Sequence, residues 1–141
     1  NNVLQSWIEA AALLNFELHI ACPKEVKPNS ETISWAIERN NNIYITDNPI
    51  QAADGANCII TDTWRSMGNK NPLPEDVFVP FQVNNKIMKV ADKKAIFMHC
   101  LPAYRNKEVS SEVLEGEYSV IFDEAENRLH AQKAIMHFCI D

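Results

Sequence analysis

A histidine and a cysteine stand side by side at the end of an apolar run in "FMHCLPAYR", residues 97–105, and a proline follows two residues on. His99 and Cys100 are the residue types that serve as base and nucleophile. Neighbours on a strand point to opposite faces, however, so a direct Cys–His pair is not expected. What the stretch offers instead is a strand tip: Pro102 stops the ladder and can leave backbone carbonyls there without amide partners. Such carbonyls could receive an amine. The competing reading buries both side chains in the core, since free cysteine is among the most buried residue types.

Two other polar groupings could do chemistry. In "TDTWRSMG", residues 61–68, Asp62 and Ser66 are common turn formers, with Gly68 allowing the turn. At a strand end the same pair also makes an amine site, the carboxylate giving counter-charge and the hydroxyl an acceptor. In "DEAENRLHAQ", residues 123–132, Arg128 follows three acids. The plain reading is a helix start favouring acids, with the arginine pairing one of them a turn later. His130 and His137 are seven apart, a poor spacing for two ligands of one metal on a helix.

These groups need elements to position them. Residues 3–14 carry apolar side chains close to the helical period, with an asparagine before them as a potential cap. "FELHIAC" reads as a strand stopped by Pro23, Ser30 marks the start of a second helix, and "NIYIT" reads as a strand. "NPIQAADG" reads as a short helix closed near Gly55, "NCIIT" as a strand, and residues 65–75 as a loop. "KAIFMHC" is the next strand; a helical pattern returns around residues 108–114, "SVIF" reads as a brief strand, and residues 123–139 form a long C-terminal helix.

Strands alternating with helices argue for an α/β, Rossmann-like three-layer αβα domain with a mainly parallel sheet, spanning residues 1–141 as one domain. In such sheets ligands bind beyond the carboxyl ends of strands. Asp62, His99 with Cys100, and the 123–128 segment all fall at such ends. Asn1 and Asn2 fall where a further strand is expected to have ended, and that first strand is missing.

Composition narrows the partners. The chain has 141 residues, 46% hydrophobic and 23% charged, with a formal net charge of −6. No cluster of Lys or Arg offers a footprint for nucleic acid or anionic lipid. No apolar stretch approaches the ~20 residues that span a bilayer, and the opening lacks a signal-peptide pattern, so a cytoplasmic setting is expected. Cys22, Cys58, Cys100 and Cys139 lack C-x-x-C spacing and each lies within or beside an apolar segment, so they read as buried thiols in preference to a disulfide or zinc framework.

Taken together, "DTWRSMG", "HCLPAYR" and "DEAENRLHAQKAI" closely resemble the ornithine carbamoyltransferases in order and spacing, and "NNVLQS" is similar to the segment that follows the opening strand of that family's second domain. The related aspartate carbamoyltransferases typically show a proline where Cys100 stands. The resemblance implies that Asn2 holds the α-carboxylate of L-ornithine beside the Met67 amide, and that Asp62 and Ser66 take the α-amino group. It places the Cys100 and Leu101 carbonyls near the δ-amino nitrogen and the transferred group, and Arg128 on the carbamoyl oxygen. It further implies carbamoyl transfer from carbamoyl phosphate to L-ornithine, giving citrulline and phosphate, without metal or organic cofactor, in a protein assembled as trimers. The family's carbamoyl-phosphate domain, with its Ser-Thr-Arg-Thr-Arg and His-Pro-x-Gln segments, is not found in these residues. The fragment alone is therefore expected to be inactive.

Three alternatives compete. A nucleotide-binding Rossmann domain is disfavoured by three glycines and no G-x-G-x-x-G or P-loop pattern. A non-catalytic amino-acid-binding or assembly domain, and a carbamoyltransferase for putrescine or N-acylornithine, share the same elements. The Asp62, Ser66, Met67 and Gly68 set favours free ornithine over these amines, because an α-amino group calls for that carboxylate.

Overall fold

The computed structural model describes residues 2–65 and 73–140. The chain divides into two compact units, Asn1–Asp54 with Trp64–Phe81, and Gly55–Thr63 with Gln82–Asp141.

In the first unit, helix α1 (Asn2–Leu14) buries Ile8, Ala11 and Ala12, whose spacing sets them on one face. Asn15, at φ 55°, closes it in the left-handed region that asparagine tolerates, donating its amide to the Ala11 carbonyl at 2.9 Å. Strand β1 (Leu18–Ala21) pairs in parallel with β2 (Ile43–Thr46), with Ile20 opposite Ile45. Between them lies α2 (Ser30–Ile37), whose cap is Asn29: its side-chain oxygen accepts from the Glu31 and Thr32 amides at 2.8 and 3.1 Å. Helix α3 (Pro49–Ala53) is capped in the same way by Asn48, with Pro49 in the first turn, where its missing N–H costs nothing. The core gathers Ile8, Ala11, Ala12, Ile20, Ala36 and Ile43. Asn40, 2% exposed, ties these pieces together by donating to the Ala11 and Phe16 carbonyls at 2.8 and 2.7 Å and accepting from the Asn42 amide at 2.9 Å.

In the second unit, β3 (Cys58–Thr61) pairs in parallel with β4 (Ile96–His99), and the register sets Thr61 opposite His99. The expected parallel pairing is present; among the described residues it takes the form of two two-stranded sheets, β1–β2 and β3–β4. Helix α4 (Asn85–Val90) was not read in the sequence: its buried pair, Ile87 and Met88, is too short a pattern to show a period. Phe97, Val109 and Val113 are fully buried at the centre of this unit.

Two expected elements differ. The helix anticipated at 108–114 is only the short α5 (Ser111–Leu114), because the Glu108 carbonyl is taken by the Val83 amide at 2.9 Å and Val83 bridges Val109. The strand anticipated at "SVIF" is a single bridge, Phe97 to Ser119. Helix α6 (Ile121–Ile140) begins directly afterwards, with Glu124 donating its amide to the Val120 carbonyl at 2.9 Å and acids in the first turn where the helix dipole favours them. Among the described residues no helix is long and apolar enough to cross a membrane.

Candidate functional site

The second unit places Asp62 and Cys100 each one residue beyond a strand end, and because β3 and β4 are parallel neighbours the two residues come out side by side. Cys100 Sγ lies 3.4 Å from Asp62 Oδ1. The same oxygen accepts from the Thr63 amide at 2.7 Å, so the turn-capping role read for Asp62 is present together with the contact to the tip. Burial, reinforced by the Asp62 and Glu124 charges, pushes the Cys100 thiol up to about 11. A thiol in that range stays protonated at neutral pH, where it serves as a donor and not as a nucleophile.

His99 is fully buried, and its ring is held at both nitrogens. Nδ1 accepts from the Leu101 amide at 2.9 Å, which puts the ring proton on Nε2, 3.2 Å from Glu108 Oε1. Glu108 Oε1 also accepts from the Tyr104 amide at 2.6 Å, and the His99 amide donates to Glu124 Oε2 at 2.9 Å. These bonds surround an unusual backbone: Leu101 has φ 54°, the left-handed region that costs a non-glycine residue about 1–3 kcal/mol unless its surroundings hold it there. The Leu101–Pro102 bond is cis. Among the described residues no amide donates to the Cys100 or Leu101 carbonyls. The strand tips thus carry two carbonyls without amide donors and, against the Cys100 thiol, the Asp62 carboxylate, all acceptors of the kind an amine takes.

Arg128 stands exposed on α6 and makes no ion pair among the described residues. Of the three acids that precede it, Glu124 accepts from the His99 amide at 2.9 Å and Glu126 lies 3.5 Å from His130. Asn2 opens α1 in the first unit, its carbonyl accepting from Ser6 Oγ at 3.3 Å. Ser66, Met67 and Gly68 lie outside the described residues. Glu108 and Glu124 were missed from the sequence. Glu124 reads there as an ordinary first-turn acid, and nothing in the residues around Glu108 distinguishes it from a surface carboxylate. Among the described residues no three His, Cys, Asp or Glu side chains are grouped to hold a metal ion.

Parallel strand pairs alternating with helices, with polar groups converging where two strands end, define an α/β domain of the Rossmann-like class. The chain belongs to the aspartate/ornithine carbamoyltransferase family, whose Asp/Orn binding domain matches residues 1–139. It is 54% identical over 141 residues to the ornithine carbamoyltransferase of Brucella abortus, a match covering 99% of this chain and 45% of that protein. Among solved structures, it resembles the anabolic ornithine carbamoyltransferase of Campylobacter jejuni, with a TM-score of 0.90 and 40% identity, over 96% of this chain and 46% of that one. The ornithine carbamoyltransferase of Pyrococcus furiosus gives a TM-score of 0.86 and 38% identity, over 94% and 44% respectively. The chain thus spans a little under half the length of these relatives.

Proposed function

We propose that the chain is the amino-acid-binding half of an ornithine carbamoyltransferase, carrying the L-ornithine side of a site whose carbamoyl-phosphate side lies on another domain. The observation that carries this reading is the set of acceptors at the β3 and β4 tips: the Cys100 and Leu101 carbonyls, which no amide among the described residues meets, and Asp62, which contacts the Cys100 thiol. The δ-amine of ornithine, deprotonated, attacks the carbamoyl carbon of carbamoyl phosphate. A C–N bond forms, the C–O bond to phosphate breaks with its electron pair leaving on phosphate, and the nitrogen's proton passes to the departing phosphate, directly or through water, giving citrulline and hydrogen phosphate.

The chain's residues act by position and charge. The two carbonyls would orient the amine hydrogens so that the lone pair faces the carbamoyl carbon. Asp62, with Ser66, would hold the α-amino group, and Asn2 with the Met67 amide the α-carboxylate. Arg128, free of the neighbouring acids, would donate to the carbamoyl oxygen as charge develops there. The protonated Cys100 thiol fits this scheme as a neighbour of the amine and leaves no need for a thiolate. The same reading carries a cytoplasmic location and a trimer-based assembly of the whole protein, with residues 1–141 forming one functional domain and the isolated half expected to be inactive.

Incubation of the full-length protein with L-ornithine and carbamoyl phosphate labelled with carbon-13 tests the proposal. Labelled citrulline is the expected product. Carbamoylation of putrescine or N-acetylornithine in preference to ornithine would overturn the choice of substrate, and no transfer to any of the three would overturn the reaction.

A further inference from the structure

We infer that the buried His99–Glu108 pair is a positioning device for the transfer: the imidazole fixes the Leu101 amide, and through it the direction of the two carbonyls that meet the amine. This rests on the reading of the β4 tip as the amine site.

Several features of the second unit point the same way. His99 and Glu108 are both fully buried, yet neither serves as an ordinary core filler. His99 Nδ1 accepts from the Leu101 amide at 2.9 Å, so the imidazole reaches over the residue between them and closes the tip as a turn would. Leu101 sits in the left-handed region, a conformation its own side chain disfavours, and the imidazole is the partner that holds its amide. Glu108 in turn fixes the ring, accepting from Nε2 at 3.2 Å with the same oxygen that takes the Tyr104 amide at 2.6 Å. It thereby ties both sides of the Cys100–Ala103 segment to one carboxylate. The second oxygen, Oε2, is buried without a hydrogen-bond partner among the described residues. A carboxyl group kept in the core with one oxygen unsatisfied is costly for stability alone and calls for a separate explanation. Holding the tip in a single geometry supplies one.

The ring must act as a neutral acceptor. Protonation at Nδ1 would set one N–H against another and release Leu101. The groups facing the ring and its backbone are Glu108, Glu124 on α6 and, through Cys100, Asp62. All are acids, and none can replace the ring as acceptor for the Leu101 amide without moving.

Two isosteric changes separate this role from simple packing. In His99→Asn the amide oxygen stands near the place of Nδ1 and keeps an acceptor for Leu101. In His99→Gln the amide reaches the place of Nε2 and keeps a donor for Glu108, but leaves Leu101 unheld. In the full-length protein, with citrulline formation as the readout, His99→Gln is expected to lose about 100-fold in kcat, the loss typical of a misplaced reacting group. His99→Asn should keep kcat within about tenfold, and KM for carbamoyl phosphate should be unchanged in both. Equal kcat losses, or wild-type kcat in the Gln variant, would overturn the inference. If either variant fails to fold, nitrogen-15 spectra of the wild-type histidines decide: a His99 protonated at Nε2 with a bare Nδ1 supports it, and the opposite tautomer or an imidazolium overturns it. A wild-type protein that makes no citrulline would instead count against the proposed reaction, leaving the tautomer result to judge the pair.

Discussion

The Cys100 thiol and the Asp62 carboxylate stand 3.4 Å apart, at the ends of adjacent parallel strands that bring them out side by side. Each alters the other's chemistry: the carboxylate adds to burial in raising the thiol pKa, and the thiol gives the carboxylate a donor. In Asp62→Asn the Cys100 pKa should fall below about 11 but stay above the ordinary thiol range, because burial is the larger cause and remains. The pH profile of alkylation at the Cys100 peptide, read by mass spectrometry, measures this. A profile unchanged by the substitution would show that the contact does not exist in solution.

Stability should decline at alkaline pH for the same reason. Cys58 and Cys100 are both raised from 9.0 to about 11 in the folded chain, mainly by burial. Both folded values lie above the unfolded one, so their contribution is fully present below pH 9 and is lost as pH rises through about 11. Urea midpoints across that window should fall less steeply in the Cys58→Ser/Cys100→Ser double variant than in wild type; parallel curves would contradict the assignment.

Leu101 offers a test of backbone conformation. At φ 54° a glycine is at ease and a β-branched residue is not. Leu101→Val should therefore destabilise by about 1–3 kcal/mol relative to Leu101→Gly in urea unfolding. A Val variant as stable as the Gly variant would argue for an ordinary φ at this position.

In the first unit, Asn40→Ala leaves the Phe16 carbonyl and the Asn42 amide without the partner each now has. The expected cost is about 1–3 kcal/mol. Asn40→Asp should cost more, since it turns a carboxylate toward two carbonyls. Equal stabilities for wild type and both variants, by urea denaturation, would remove Asn40 from its bridging role.

What was legible in the sequence follows the range over which each signal acts. Helix α1 announces itself through its own apolar spacing, and β1, β2, β3 and β4 through short apolar runs bounded by Pro, Asn or Gly. The tip was legible because Pro102 is a local stop, and the open carbonyls lie where that stop placed them. "SVIF" misled because apolar content over four residues cannot separate a strand from the first turn of α6, and a single Phe97–Ser119 bridge decided it. The Glu108 and Glu124 contacts were not legible at all. Each reaches His99 from 9 or 25 residues away, and no local pattern records which acid turns inward. Motif resemblance, not periodicity, joined Asp62, Cys100 and Arg128 into one expectation.

Titration of L-ornithine into the full-length protein by calorimetry, with Asp62→Asn and putrescine as comparisons, goes to the heart of the reading. Saturable ornithine binding should weaken by about 10- to 100-fold in the Asn variant, the loss expected when a charged hydrogen bond is removed, and putrescine should bind more weakly still. Ornithine bound equally well by wild type and variant, or putrescine bound as tightly as ornithine, would contradict the assignment of Asp62 and the strand tips as the ornithine site.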